Sequence, residues 1–223
     1  MTKQCIQPFS WENIDRIFLD LDGTLLDKYY DDYFWEDYVV QTYSNKNQVE
    51  PKSCRELMLA TYKSVENTLQ WTDLDYWSER LGLDIAALKK EISHLINIHP
   101  HVLDFFDLAK KRGKKLYLVT NAHPKTLAVK LGKIKITDVF TKIICSQDVG
   151  FAKEQLEFWS KLPDIQTFDK NRTLFVDDTE KVLDAAKEYG IKHLIHIAKP
   201  SSKLAPIFSR HYPSVKNFKP LIF

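Results

Sequence analysis

Two aspartates separated by one residue end a short apolar run. Ile17, Phe18 and Leu19 are followed by Asp20, Leu21, Asp22, Gly23 and Thr24. The apolar run reads as a buried strand. An Asp-x-Asp at the C-terminal end of such a strand lies where an open parallel sheet binds its ligand. Crowded carboxylates repel each other, so the pair calls for a cation or a shared proton. Gly23 permits a turn that a Cβ would hinder. A second acidic pair, Asp177-Asp178, follows Thr173-Leu174-Phe175-Val176, and Thr120-Asn121 follows Leu116-Tyr117-Leu118-Val119. Lys153 opens a helix-like segment between them. Alone it would be an ordinary surface lysine; its place between a third strand and the second acidic pair gives it weight.

These residues need a frame. Leu116 to Val119 is continuously apolar, as expected when helices cover both faces of a parallel sheet. Ile143-Ile144-Cys145, Thr173 to Val176 and Leu194 to Ile197 read as further strands. Helical patterns lie between them: Val102 to Ala109, Pro124 to Leu131 and Glu180 to Tyr189, the last ending at Gly190. The alternation predicts right-handed crossovers and a three-layer, doubly wound α/β fold with a five-stranded parallel sheet, the Asp20 strand central.

The block from Lys28 to His99 differs. Asp31 or Asp32 could cap a helix carrying Phe34, Trp35, Tyr38 and Val39. Pro51 suits a first helical position, with Met58, Tyr62, Val65 and Leu69 at helical spacing. Leu74, Trp77 and Leu81 repeat it before Gly82, and Asp84 can cap a helix with Ile85, Leu88, Ile92 and Leu95 on one face. Four helices without an intervening strand predict an inserted cap at 28–99, with the core formed by 1–27 and 100–223. His99 and His101 flank Pro100 at the joint, where a hinge is favoured over metal binding.

Four motifs in this order resemble those of the haloacid dehalogenase superfamily of phosphohydrolases, from Ile17 to about Ile197. Within it, Tyr33-Phe34-Trp35, Thr120-Asn121-Ala122-His123-Pro124 running into Leu127 to Leu131, and Tyr76-Trp77-Ser78-Glu79 with Leu81 to Asp84 resemble the bacterial GMP/IMP nucleotidases. One departure is visible: related sequences usually place a proline beside the motif lysine, whereas Lys153 lies between Ala152 and Glu154.

The resemblance implies roles. Asp20 is the nucleophile, forming an aspartyl-phosphate. Asp22 protonates the leaving alkoxide and later deprotonates water. Thr120 and the Asn121 N–H hold phosphate oxygens, and Lys153 neutralises the nucleophile and the transferring group. Mg²⁺ is the implied cofactor, with Asp178 as principal ligand, aided by Asp20, the Asp22 carbonyl and Asp177. Asp177-Asp178 also suits a helix cap. His123 either lines the pocket or is a turn residue before Pro124. The aromatics Tyr29, Tyr30, Tyr33, Phe34, Trp35 and Tyr38 read as cap core, some of them also as a stacking wall for a base. The implied substrate is a small phosphomonoester, a purine nucleoside monophosphate first. A sugar phosphatase, a phosphotransferase or mutase, and a non-catalytic binding module are the alternatives; Asp22 disfavours a halide-removing hydrolase.

Composition sets bounds. The 223 residues suffice for one ordinary domain and a smaller insertion, and a 44% hydrophobic share supports a real core. A net charge of +2 implies no strong field for nucleic acid. Cys5, Cys54 and Cys145 are widely spaced and odd in number, which suits a reducing cytoplasm. No leader-like or bilayer-length apolar run appears, so a cytoplasmic protein without a membrane partner is expected. Lys199 to Phe223 holds five Lys or Arg and no acid; it reads as a solvated tail with Phe208, Phe218 and Phe223 packed on the core.

Overall fold

A computed structural model describes residues 9–222; Cys5 and Phe223 lie outside the described residues. The chain forms β1 (Arg16–Leu19), α1 (Tyr29–Tyr33), α2 (Val39–Asn47), α3 (Pro51–Ser64), the single turn α4 (Leu69–Thr72), α5 (Leu74–Leu81), α6 (Ile85–Glu91) and α7 (Val102–Lys111). Then come β2 (Lys115–Thr120), α8 (Pro124–Ile134), β3 (Lys142–Cys145), the short α9 (Ser146–Val149), α10 (Leu156–Ile165), β4 (Thr173–Asp177), α11 (Glu180–Tyr189), β5 (His193–Ile197) and β6 (Ser214–Val215).

All strands run parallel, in the order β3-β2-β1-β4-β5-β6. The Asp20 strand is therefore interior. Among the described residues six strands are present where five were expected. The extra one is two residues long, pairs His196 with Ser214 and Ile197 with Val215, and sits in a Pro-rich polar stretch too short to show a period.

Alternate strand residues face opposite layers. Ile17, Leu19, Leu116, Leu118, Leu174 and Val176 pack with Val102, Phe105, Leu127 and Leu131 of α7 and α8. Phe18, Tyr117, Val119 and Phe175 pack with Phe158, Trp159, Leu162, Val182, Leu183 and Ala186 of α10 and α11. This is the doubly wound, three-layer arrangement. In the tail, Phe218 is buried but Phe208 is exposed; Tyr212 reaches back to bond Asp184.

Between β1 and α7 all regular elements are helical. The first begins at Tyr29, earlier than an Asp31 or Asp32 cap would allow. Asp27 accepts the Tyr29 N–H at 3.0 Å, which frees Asp31 to face inward. A π segment, Phe34–Tyr38, joins α1 to α2; such wide turns recur at functional sites. Glu50, Asp73 and Asp84 cap α3, α5 and α6 through their side chains, and Gly82 closes α5 at φ 61°. The helix expected through Leu69 stops at Ser64, and α4 forms separately. The chain enters and leaves this block side by side: Leu26 bridges Ile98, the Asp27 N–H donates to Asn97 O, and the His99 N–H donates to Leu25 O.

Candidate active site

The strand registers align the C-terminal ends of β1, β2 and β4. Leu19 pairs with both Leu118 and Val176, and the Asp20 N–H continues the ladder to Val176 O at 3.1 Å. Asp20, Thr120 and Asp177 consequently emerge together. Gly23 then turns the chain at φ +84°; a Cβ there would come within 2.4 Å of Asp178 Oδ2. Only glycine lets the two acidic loops approach this closely.

Lys153 reaches this cluster from the loop between α9 and α10. Its Nζ donates to Asp20 Oδ1 at 2.5 Å and to Asp177 Oδ2 at 2.7 Å. All three groups are buried. The lysine backbone is held on two sides: Asn121 Oδ1 accepts its N–H at 2.9 Å, and Trp159 Nε1 donates to its carbonyl at 2.8 Å. Asn121 Nδ2 also donates to Glu154 Oε2 at 2.8 Å. The missing proline beside Lys153 is thus matched by a side-chain clamp that the sequence reading did not foresee.

The electrostatics are those of crowded acids. Burial pushes Asp20 up to about 7, against the pull of Lys153 and with Asp177 adding to the rise. Burial likewise raises Asp177, and raises Asp178 well above the usual carboxylate range, helped by Asp177 and Asp20. Lys153 is raised because its two carboxylates outweigh its burial. Lys153 bonds two of the three carboxylates, and Lys28, which is bonded to Asp32, acts on Asp178 only through space, so the cluster keeps a net negative charge. One oxygen from each of Asp20, Asp177 and Asp178 lies within 4.8 Å of the others. An all-oxygen, net-anionic donor set of this size fits a hard divalent cation.

Asp22 points elsewhere. Its Oδ1 accepts from Lys130 Nζ at 2.5 Å, and Lys130 also bonds Asp31 Oδ2 at 2.6 Å. Burial raises Asp22 to about 6, with Lys130 lowering it and Asp31 and Asp20 raising it. Thr120 Oγ1 accepts the Ala122 N–H at 3.0 Å, leaving its own proton available to a ligand. His123 Nδ1 accepts from Lys125 N–H at 3.3 Å, while Nε2 lies 3.6 Å from Asp73 Oδ1. It caps α8 and borders the cavity at once, so the two readings of His123 coincide.

Asp20, Asp22, Thr120, Asn121, His123, Lys153 and Asp177 all line one cavity of about 670 Å³, within the size range of small-molecule sites. Its other wall is aromatic: Trp35, Tyr62, Trp71 and Trp77, with Leu59 and Leu74. Tyr62 stands edge-on to Trp35 and Trp77 at 5.5 and 5.0 Å. Of the aromatics expected near the first motif, only Trp35 lines this space; Tyr30 and Phe34 are buried in the helical core. Tyr62 and Trp77 escape a sequence reading as wall residues because their helical spacing reads equally as core, and Trp71 falls in no periodic set. Lys130, Asp31 and Lys89 also border the cavity; Lys130 lies in the Leu127 to Leu131 stretch of the resemblance and Asp31 reads as a helix cap, but the sequence assigns none of the three a role in the site.

Comparison with known proteins identifies the family. Residues 17–195 match the family model described as haloacid dehalogenase-like hydrolase. The chain is 37% identical over 213 residues to the GMP/IMP nucleotidase YrfG of Escherichia coli K12, covering 96% of each, and equally so to that of Shigella flexneri. Among solved structures, a HAD phosphatase from Thermococcus onnurineus superposes with a TM-score of 0.77 at 19% identity, over 93% of this chain and 96% of that one. The L-2-haloacid dehalogenase of Xanthobacter autotrophicus superposes at 0.56 and 13% identity, over 94% and 97%. That one fold hosts both enzymes leaves the chemistry to the site. Among the described residues no helix is long and apolar enough to cross a membrane. The chain belongs to the haloacid dehalogenase-like hydrolase family, and within it is a phosphomonoester hydrolase.

Proposed function

We propose that the chain is a Mg²⁺-dependent 5′-nucleotidase that hydrolyses purine nucleoside monophosphates, GMP and IMP, through an aspartyl-phosphate on Asp20. The observation that carries the mechanism is the buried contact of Lys153 with Asp20 and Asp177, beside Asp178 and on the same cavity as Asp22. Asp20, Asp177, Asp178 and the Asp22 carbonyl would hold the cation. When bound, it neutralises charge so that an anionic carboxylate can meet an anionic phosphate.

An Asp20 oxygen attacks phosphorus, the Asp20–phosphorus bond forms and the ester P–O bond breaks. Asp22 gives its proton to the departing ribose oxygen; a carboxyl raised to about 6 still holds a fraction of its protons near neutrality. The nucleoside leaves. Asp22 then takes a proton from water, whose oxygen displaces Asp20, releasing inorganic phosphate. Thr120 Oγ–H and the Asn121 N–H hold phosphate oxygens, and Lys153 stabilises the charge that builds on them. The helices of 28–99 act as a cap over the core of 1–27 and 100–223, and their aromatic wall receives the base. The near-full-length likeness to GMP/IMP nucleotidases supports the choice of purine.

The test is phosphate release from GMP, IMP, UMP, glucose 6-phosphate and phosphoglycolate, with Mg²⁺ and with chelator. Highest kcat/KM for GMP and IMP, lost on chelation and restored by Mg²⁺, is expected. A preference for the sugar phosphate would remove the nucleotidase reading, and metal-independent turnover would remove the mechanism.

A further inference from the structure

Lys130 is a buried cation that none of these steps uses. It lies on α8, a core helix, and its side chain is 1% exposed. Its Nζ bridges Asp22 of the β1 loop and Asp31 of α1. Asp31 is anchored in turn: its other oxygen accepts from Lys89 Nζ of α6 at 2.8 Å, and Lys89 is 2% exposed. Lys89 is itself seated over the Phe34 ring at 4.3 Å. Four charges thus alternate in sign from the end of the sheet into the helical block. An apolar residue could fill the place of Lys130 without desolvating an ammonium, so core packing alone does not account for it.

We propose that Lys130 is a positioning residue for Asp22, with Asp31 and Lys89 as its anchor in the helical block. The proposal rests on Asp22 being the acid/base described above. A carboxylate two residues from the nucleophile can rotate toward the same cations that serve Asp20. Lys130 holds one of its oxygens on the cap side of the cavity and leaves the other for proton exchange with the leaving group. Because Asp31 belongs to the helices, the acid/base takes its orientation from the part of the molecule that also contacts the leaving group.

The consequence is selective, and leaving-group chemistry reads it. A ribose alkoxide needs a proton as it departs, whereas p-nitrophenolate does not. We would measure kcat/KM, which reports ester cleavage, for GMP (or the best alkyl monoester found) and for p-nitrophenyl phosphate. Asp22→Asn is the benchmark and should lose far more on the alkyl substrate. Lys130→Met should show the same pattern, with a loss at least about tenfold larger for the alkyl substrate. On the Asp22→Asn background it should change little, since the two act as one unit. Should Lys130→Met fail to fold, Lys130→Met/Asp31→Asn/Lys89→Met, which leaves no buried ammonium without its partner, is assayed identically, with the same differential expected. Equal losses on both substrates, or full additivity with Asp22→Asn, would overturn the positioning role while leaving the acid/base intact. Equal losses in Asp22→Asn itself would overturn the acid/base reading and this proposal with it.

Discussion

Lys153 Nζ and Asp20 Oδ1 stand 2.5 Å apart although 133 residues separate them in the chain. The contact joins the loop after α9 to the end of β1 between two buried side chains that border the cavity. Lys153→Met would leave Asp20 and Asp177 buried without their cation. We expect turnover to fall by about 100-fold or more, on the scale of losing a charge-stabilising donor. Stability should fall by about 3–5 kcal/mol, the usual effect of breaking a buried pair. Phosphate release and urea unfolding on the same preparation check both; unchanged turnover would remove Lys153 from the mechanism.

Asp20→Asn keeps the shape and removes the attacking anion. Turnover should collapse, and acid quenching during turnover should trap labelled phosphate on the wild type but not on the variant. The variant should stay folded, because burial already raises Asp20 to about 7 and the change removes a desolvated charge. Labelled Asp20→Asn protein would reassign the nucleophile.

Among the described residues no lysine is hydrogen-bonded to Asp178, and burial with its acidic neighbours raises it well above the ordinary range despite the pull of Lys28 and Lys153. A raised carboxylate weakens the folded state as pH climbs above its unfolded value near 3.9. Without metal, Asp178→Asn should therefore melt no lower than wild type at neutral pH. Added Mg²⁺ should raise the wild-type melting point by a few degrees through linkage and leave the variant unmoved. Equal shifts in both would place the cation elsewhere.

The aromatic wall makes substrate choice a local property. Stacking a base on a ring is worth about 1–3 kcal/mol, so Trp35→Ala should lower kcat/KM for GMP by roughly 5–150-fold. Glucose 6-phosphate, which has no aromatic face, should be hardly affected. A uniform loss across substrates would mean that Trp35 only supports the helices.

Asp31 offers a stability test at low pH. Burial alone would raise it, but Lys130 and Lys89 outweigh burial and hold it well below the usual range. A depressed carboxylate contributes stability that is complete above its unfolded pKa near 4 and is lost as pH falls toward its folded value. The wild type should therefore lose melting temperature more steeply below about pH 4 than Asp31→Asn does. Parallel slopes would show that Asp31 is not held ionised.

The site was legible where chemistry follows from chain position. Asp20, Thr120 and Asp177 end three adjacent strands, and strand ends show as apolar runs stopping at polar residues. The order of those runs also carried the parallel sheet. What escaped the sequence was made by long-range contact. Lys130 falls within a helical pattern where a lysine reads as a solvated face, and only the meeting of α8 with α1 turns it inward. Asn121 was assigned to phosphate by its backbone, whereas its side chain clamps the Lys153 loop. The wall residues Tyr62 and Trp77 have the same spacing whether they face a core or a cavity. β6 is two residues long, and nothing so short has a period.

The paired crossing at Leu26 and Ile98 has an architectural consequence. The helical block joins the sheet at two neighbouring points, like a plug on two adjacent pins, so its own ends nearly meet. Removing 28–96 would leave a gap that a tight turn could close without disturbing any sheet hydrogen bond. Conversely, a foreign helical module with close termini could be seated on the same pins. On the function proposed above, the groups that handle phosphate and those that would meet the leaving group then fall in different parts of the chain, and any replacement must remake the links from Lys130 to Asp31, Lys125 to Asp75 and Gln147 to Thr72.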